Sequence, residues 1–183
     1  MTTASKITMI RVALIPVYMV LMYLSGGQPN LWMWLALAVF ILASLTDYVD
    51  GQIARKRNLV TNLGKFMDPL ADKILNYSVM ILLIRENAVP PVALVIILFR
   101  EFIVSGIRQS AAEQGRVVAA NIWGKVKTFV QDISLGVILF FRALNVGFTA
   151  PLGRALIWIC AVLTVISGAI YLVQNRDVLK QAD

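Results

Sequence analysis

Residues 45–75 of the chain read LTDYVDGQIARKRNLVTNLGKFMDPLADKIL, and this stretch decides the fold because it places four acids between apolar segments. The acids are Asp47, Asp50, Asp68 and Asp72. The first pair is spaced i, i+3 and the second i, i+4, and on a helix each spacing brings two side chains to one face. Charge at the centre of a bilayer costs about 3 kcal/mol per residue on insertion scales. We therefore expect these acids to lie near an interface, to line a wet cavity or to share cations.

One stripe of the first acidic helix combines acids with very small residues. Asp47, Asp50, Gly51 and Ala54 follow the spacing i, i+3, i+4, i+7, which puts them on one helix face. Because a packed core would have Leu or Ile at the two small positions, we expect a flat or bulky group to lie against the backbone there. Arg55 follows directly, and its guanidinium fork is suited to phosphate. The pattern predicts a site for a phosphorylated ligand beside bound metal.

The available side chains restrict both the metal and the general base. The chain has no histidine and a single cysteine, Cys160, which lies inside an apolar segment. Carboxylate oxygens without nitrogen or sulfur ligands favour a hard divalent ion such as Mg²⁺ or Mn²⁺. Sites rich in aspartate commonly hold two such ions around a phosphoryl group. A general base in this chain has to be Asp, Glu, Lys or Tyr.

Composition predicts a single all-α domain, residues 1–183, in a membrane. Of the 183 residues 59% are hydrophobic, the mean hydropathy is +0.77, and a soluble domain of this size is less apolar. Apolar runs of roughly 20 residues, the length that a bilayer requires, predict six transmembrane helices around a cytoplasm-facing polar cavity. The predicted spans are 7–24, 31–49, 68–85, 90–112, 122–144 and 152–174, with a polar bend at 55–67. We expect no cleaved signal peptide, since the first apolar run is too long for one.

The basic residues predict the orientation in the membrane. If the amino terminus is cytoplasmic, Arg85, Arg142 and Arg154 lie on the outer side and the other 14 of the 17 basic residues lie on or near the inner side. This is the bias of the positive-inside rule. It puts the four aspartates at the cytoplasmic edge, where a water-soluble substrate arrives. The net charge of +7 suits the anionic inner leaflet, so we interpret it as a topology signal and not as nucleic-acid binding.

The acidic stretch is similar to the signature of a known enzyme family. Its fixed positions, all with the family's spacing, are Asp47, Asp50, Gly51, Ala54, Arg55, Gly64, Asp68 and Asp72. This pattern resembles the CDP-alcohol phosphatidyltransferases. A pair of acidic helix ends facing solvent would not require eight specified residues within 26 positions.

The resemblance implies a role for each matching position. Asp47, Asp50 and Asp68 match metal ligands, and Asp72 matches both a metal ligand and the general base. The positions that match contacts to the nucleotide and pyrophosphate of the CDP-lipid are Gly51, Ala54, Arg55 and Thr61. Near the amino terminus the family has Asn-x-x-Thr-x-x-Arg, another nucleotide contact. This chain keeps Thr8 and Arg11, but Ser5 stands in place of the asparagine and offers one hydroxyl instead of an amide.

Charged residues also interrupt the fourth and fifth apolar spans. Glu101 is spaced i, i+7 from Arg108, which predicts that the two can pair, while Arg100, Lys125 and Lys127 add positive charge. Charges inside membrane segments are functional by default. Internal ion pairs that hold the bundle together would explain the acid, but they leave a basic surplus, which predicts a bound anion.

These spans extend the resemblance to one branch of the family. Arg-Glu-x6-Arg from Arg100 and Gly-Lys-x-Lys-Thr from Gly124 resemble the phosphatidylglycerophosphate synthases, whose acceptor is the dianion sn-glycerol 3-phosphate. We assign Arg100, Arg108 and Lys125 to the phosphate of this acceptor. The resemblance implies transfer of a phosphatidyl group from CDP-diacylglycerol to glycerol 3-phosphate by direct displacement, with release of CMP. It also implies two divalent cations, Mg²⁺ or Mn²⁺, contacts with membrane lipids, and a homodimer.

Two alternatives stay open at this point. Other transferases of the same family use inositol phosphate, serine or phosphatidylglycerol as the acceptor. From a different class, a divalent-cation transporter with six spans would also have intramembrane acids, but distributed along several spans to form a path. The acids of this chain cluster near one edge, which favours the enzyme.

Overall fold

The computed structural model describes the backbone of residues 3–57, 62–113 and 122–175, and the side chains of residues 9–10, 12–46, 73–112 and 122–175. All regular structure within these ranges is helical, as the composition predicts. The helices are α1 (Thr3–Ser25), α2 (Leu31–Arg57), α3 (Asn62–Ile84), α4 (Pro91–Glu113), α5 (Ile122–Ala143) and α6 (Thr149–Gln174). Each predicted span coincides with one of these helices to within a few residues, except around the acidic stretch.

Around the acids, the helices extend further than the apolar spans. The predicted second span ends at 49, but α2 continues to Arg57, and α3 begins at Asn62 instead of 68. The prediction of a polar bend at 55–67 is therefore wrong at 55–57 and 62–67. Polar residues such as Arg55 and Lys56 end an apolar run, but they are good helix formers and do not end a helix. The carboxyl half of the acidic stripe thus has a helical backbone.

The turn between α1 and α2 is fixed by its own side chains. Gly26 and Gly27 have φ of +58° and +72°, a region that glycine enters without steric cost. The amide of Gly27 donates to Ser25 Oγ at 3.2 Å, and the amide of Met33 donates to Asn30 Oδ1 at 3.1 Å. Asn30 therefore caps the first turn of α2, as its residue type favours.

Contacts between helix ends show that successive helices alternate in direction. Gly27 lies against Glu86, which follows α3, and Glu86 pairs with Arg142 near the end of α5. Gly153, in the first turns of α6, lies against the carbonyl oxygen of Ala88, just before α4. We call this side of the bundle the turn end. The opposite side, where α2 ends and α3 begins, is called the motif end because the acidic signature lies there.

The core lies where the helices cross. α1 packs against α2 and α3, α5 packs against α2 and α6, and α4 packs against α6. The largest fully buried side chains are Tyr18, Tyr171, Met33, Leu75, Met80, Leu83, Ile97, Leu135, Ile138, Leu139 and Ile157. In the part of the chain that is described, α6 is the one helix long and apolar enough to cross a membrane by length and composition. Shorter apolar stretches are 12–25, 31–46 and 73–84.

Candidate active site

The helical spacing predicted for the aspartates is confirmed at the level of the backbone. Asp47 and Asp50 lie on α2, and Asp68 and Asp72 lie on α3. Gly51, Ala54 and Arg55 follow on α2, while Ser5 and Thr8 lie on α1. The side chains of all these residues, and the whole of Thr61, lie outside the described residues. The metal centre and the nucleotide contacts therefore stay predictions; the described residues alone contain no group of three or more His, Cys, Asp or Glu able to hold a metal.

The described part of the site is organised around the carboxylate of Glu101 on α4. Its Oε1 accepts from Lys127 Nζ on α5 and, at 2.7 Å, from Arg100 Nη1. Its Oε2 lies 3.4 Å from Lys73 Nζ on α3, and the same ammonium donates to Ser105 Oγ at 2.8 Å. We call Lys73, Arg100, Glu101 and Lys127 the Glu101 cluster.

Most of this cluster is removed from solvent. The side chains of Lys127, Arg100 and Glu101 are 6%, 11% and 12% exposed, and that of Lys73 is 33% exposed. Charges this far from water are tolerated when they are paired and hydrogen-bonded. One carboxylate cannot neutralise three cations, so the cluster carries a formal surplus of two positive charges.

Arg100 is held between three helices. A Cβ built on Gly168 of α6 would lie 2.8 Å from Arg100 Cγ, and one built on Gly124 of α5 would lie 3.8 Å from Arg100 Nη2. Gly168 therefore leaves space that the arginine side chain fills, whereas a side chain at position 124 would be in ordinary contact with it. Among the described residues, the buried Arg100 Nε has no hydrogen-bond acceptor. The position of the Arg100 side chain is therefore fixed, and its Nε–H is available to bind a further acceptor.

The predicted pairing of Glu101 with Arg108 is wrong. Arg108 Nε donates to the hydroxyl of Tyr171 on α6 at 3.3 Å, and its guanidinium carbon lies 5.5 Å from the centre of the tyrosine ring. The reason is that an i, i+7 spacing is two full turns of helix, whereas Lys127 approaches Glu101 from a neighbouring helix. The sequence pattern indicates that Arg100 and Lys127 are positive charges without an acidic partner. In the structure both side chains donate to Glu101.

The three residues assigned to the acceptor phosphate have different environments. Arg100 is nearly buried, whereas Arg108 and Lys125 are exposed. Arg108, near the end of α4, and Lys125, near the start of α5, both lie toward the motif end. The structure brings Arg100 together with Lys73 and Lys127, which the assignment did not include. The sequence contained an indication of both lysines. Lys73 directly follows Asp72, and Lys127 belongs to the Gly-Lys-x-Lys-Thr pattern.

A side-chain hydrogen bond also joins α3 to α5, on the side of the Glu101 cluster that faces the turn end. Asn76 Nδ2 donates to Asp132 Oδ1 at 2.7 Å, and Asn76 is 3% exposed. Asp132 is thus bonded to α3, the helix that carries the second acidic pair. This bond fixes the rotation of α3 relative to α5.

The charges at the turn end form a separate group. Glu86 Oε2 lies 2.5 Å from Arg142 Nε, beside a cavity of about 120 Å³ that Gly27 and Arg85 also line. Burial raises the pKa of the Glu86 carboxyl above its ordinary value, and this effect outweighs the lowering by Arg142. Arg154 donates to the carbonyl of Asn87 at 3.3 Å. The three arginines predicted to share the outer side therefore all lie at the turn end, away from the acidic signature.

Comparison with known proteins agrees with the signature. The family model described as CDP-alcohol phosphatidyltransferase matches residues 1–166. The chain belongs to the CDP-alcohol phosphatidyltransferase family. A curated family member of Bacillus subtilis, named CDP-diacylglycerol–glycerol-3-phosphate 3-phosphatidyltransferase, is 40% identical over 188 residues, which cover 98% of this chain and 97% of that protein.

Further relatives carry the same name. The protein of Rickettsia bellii is 39% identical over 166 residues, 90% of each chain. A chloroplastic/mitochondrial form from Arabidopsis thaliana is 34% identical over 190 residues, which cover 94% of this chain and 62% of that one. Similarity therefore extends over nearly the whole length, including α4 and α5, and not over the acidic signature alone. Membership of this family identifies the chain as a phospholipid-synthesising transferase.

Proposed function

We propose that this family member transfers a phosphatidyl group from CDP-diacylglycerol to sn-glycerol 3-phosphate, giving phosphatidylglycerophosphate and CMP. The observation that carries the proposal is the position of Lys73. It directly follows Asp72, the predicted general base, and its ammonium is ion-paired with Glu101 in a cluster with Arg100 and Lys127. A group of cations with a surplus of two charges therefore lies beside the helix that carries the predicted base. The names of the relatives support the same pair of substrates.

The acceptor fits the charge of this site. The phosphate of glycerol 3-phosphate is a dianion near neutral pH, and guanidinium and ammonium donors form strong hydrogen bonds with such an anion. Serine, which carries no phosphate, would leave the surplus charge without a partner. Inositol phosphate satisfies the charge equally well, so assays with each alcohol have to separate the two.

The donor set of the acidic signature fits two hard divalent cations, Mg²⁺ or Mn²⁺, because it consists of carboxylates alone. We assign them to Asp47, Asp50, Asp68 and Asp72. When bound, such ions neutralise the negative charge that builds up on a leaving phosphate. Gly51, Ala54, Arg55, Thr61, Thr8 and Ser5 are the positions assigned to the CDP-lipid.

The chemistry proposed for the chain's own residues is a direct displacement. Asp72 removes the proton from the 1-hydroxyl of glycerol 3-phosphate. The resulting oxygen forms a bond to the β-phosphorus of CDP-diacylglycerol, and the bond from this phosphorus to the bridging oxygen breaks, so that CMP leaves with the electron pair. Arg100, Arg108 and Lys125, with Lys73 and Lys127, hold the acceptor phosphate. Orientation of two bound substrates is itself a large part of such catalysis.

We further propose six membrane spans with the motif end at the cytoplasmic face, and a homodimer. The three arginines gathered at the turn end support this orientation, since the remaining basic residues then lie on or near the cytoplasmic side. Cysteine labelling from outside intact cells tests it. A cysteine placed at Gly147 should react with an impermeant maleimide, and one placed at Ala112, an exposed position near the end of α4, should react only after permeabilisation.

Release of CMP by the purified protein tests the activity. CDP-diacylglycerol would be supplied in mixed micelles with glycerol 3-phosphate, inositol phosphate, serine or phosphatidylglycerol, each with Mg²⁺, with Mn²⁺ and with EDTA. We expect metal-dependent CMP release with glycerol 3-phosphate and far less with serine. Faster turnover with another alcohol would show that this alcohol, and not glycerol 3-phosphate, is the acceptor. Metal uptake into proteoliposomes without any CMP release would favour a cation transporter.

A further inference from the structure

We propose that Glu101 is a positioning residue that arranges Lys73, Arg100 and Lys127 to receive the phosphate of the acceptor alcohol. This inference rests on the proposed function and adds to it the residue that builds the acceptor pocket. Glu101 itself carries the wrong charge to bind an anion. Its role would be to hold the cations that do.

The geometry shows why one carboxylate is suited to this task. Glu101 contacts cations from α3, α4 and α5 with its two oxygens: Lys127 and Arg100 share Oε1, and Lys73 lies beside Oε2. Three like charges gathered near one point repel each other strongly where water is scarce. A carboxylate at their centre lowers that repulsion and gives each nitrogen a fixed direction. The cations are thus held together in the absence of substrate.

The charge left over explains what the cluster can bind. One negative and three positive charges leave a formal surplus of two, and the members other than Lys73 are nearly buried. Burial of unbalanced charge is costly. A dianion that enters the site is therefore attracted by the positive charge that Glu101 does not neutralise. A phosphate monoester dianion matches this surplus in full, whereas a neutral or zwitterionic alcohol does not.

The unused donor of Arg100 gives a second and independent indication. Among the described residues its buried Nε has no acceptor, although Nη1 is bonded to Glu101 at 2.7 Å. A buried donor without a partner is rare in folded proteins and marks a place for a further acceptor. Glu101 fixes the rotation of the guanidinium through Nη1, which leaves Nε–H to a phosphate oxygen.

The test compares the two substrates in Glu101→Gln. Glutamine keeps the size of the side chain but removes the charge and turns half of the acceptor into a donor. We expect the KM for glycerol 3-phosphate and the Ki of inorganic phosphate, a competing anion, each to rise at least tenfold. The KM for CDP-diacylglycerol should stay within twofold. Glu101→Asp, which keeps the charge on a shorter side chain, should recover part of the loss.

Glu86→Gln is the matched control, because it makes the same chemical change in the other ion pair at the turn end. It should leave both KM values unchanged. Equal rises in both KM values of Glu101→Gln, an unchanged KM for glycerol 3-phosphate, or a lower one would overturn the inference. If Glu101→Gln does not fold, Glu101→Asp carries the test, with an expected rise of about threefold in the acceptor KM alone.

The outcomes also separate this inference from the proposed function. A wild-type protein that releases no CMP with glycerol 3-phosphate overturns the proposed function, and the inference falls with it. A wild-type protein that uses glycerol 3-phosphate, combined with Glu101 variants of normal acceptor KM, overturns the inference alone.

Discussion

Substitution of Gly168 by alanine adds a single methyl group on α6 that reaches the acceptor site only through Arg100. A Cβ at position 168 would lie 2.8 Å from Arg100 Cγ and 3.4 Å from its Nε. Carbon atoms in contact prefer about 3.5–4.0 Å, so Arg100 has to move by about 0.7–1.2 Å. Since Cγ is close to the backbone, the arginine cannot yield by moving its tip alone.

The expected rise in the KM for glycerol 3-phosphate follows from the hydrogen bond between Arg100 and Glu101, which this movement breaks. Arg100 Nη1 now lies 2.7 Å from Glu101 Oε1, and a shift of this size takes the pair beyond the ~3.2 Å limit of a good hydrogen bond. A hydrogen bond to a charged group contributes about 1.5–3 kcal/mol. If half of this is lost to acceptor binding, the KM for glycerol 3-phosphate rises about threefold to tenfold, since ~1.4 kcal/mol corresponds to a factor of ten.

The free energy of unfolding should fall only modestly, because two opposing effects partly cancel. Crowding in a packed interface costs about 1–3 kcal/mol, while replacement of a helical glycine by alanine gains about 1 kcal/mol. We therefore expect Gly168→Ala to unfold at a temperature equal to or a few degrees below that of the wild type. Unfolding would be followed in detergent by circular dichroism, and KM by CMP release at saturating CDP-diacylglycerol.

Gly136→Ala on α5 is the control for this experiment. It makes the same change in a helix, but the new Cβ would meet Phe40 Cε1 at 3.7 Å, an ordinary contact. Its acceptor KM should be that of the wild type, and its unfolding temperature the same or higher. If Gly168→Ala behaves like Gly136→Ala in both measurements, Arg100 does not connect position 168 to the acceptor site.

The remaining predictions concern four other positions. Asp72→Asn should retain binding of CDP-diacylglycerol, measured by equilibrium dialysis, and abolish turnover; near-normal turnover would remove Asp72 as the base. Tyr171→Phe deletes only the hydroxyl that binds Arg108, so the acceptor KM should rise about threefold to tenfold, as loss of ~1 kcal/mol implies, and an unchanged KM would mean that the hydroxyl is not needed. Gly153→Ala would place its Cβ 2.7 Å from the backbone oxygen of Ala88, which cannot yield, so the unfolding temperature should fall sharply; a wild-type value would contradict this packing. The folded-state pKa of Glu86 is raised from 4.5. The stability of the wild type relative to Glu86→Gln should therefore be highest below pH 4.5 and fall as the pH rises through the raised pKa. Thermal unfolding scans over this pH range measure it, and a relative stability that rose with pH would contradict the raised pKa of Glu86.

The sequence was sufficient to predict the helices, because their signals are local. Apolar runs and turn residues such as Gly26 and Asn30 lie next to each other in the chain, and away from the acidic stretch they locate each helix to within a few residues. The acidic signature is equally local, and its spacing agrees with the helical backbone of α2 and α3. Only the ends of the helices around it were misplaced, because hydropathy detects membrane-like composition and not helix propensity.

The partners of the charged side chains were harder to predict, because they depend on how helices pack. The spacing of Glu101 and Arg108 suggested a pair within one helix, yet the cations that bind Glu101 come from α3 and α5 as well as from its neighbour Arg100. No periodicity in the sequence relates Lys73 to Lys127, which are 54 positions apart. The bond from Arg108 to Tyr171 on α6 depends on the same kind of tertiary contact.

The pair between Glu86 and Arg142 has a consequence for how the protein is made. The ribosome completes residues 26–27 and 86 long before residue 142, so the tight loop behind α1 first meets an unsatisfied carboxylate. Only when the fifth helix has been delivered does the arginine arrive to balance that charge. Nascent chains released before this point would therefore be expected to have a loosely packed turn end, accessible to the quality-control proteases that remove incomplete membrane proteins.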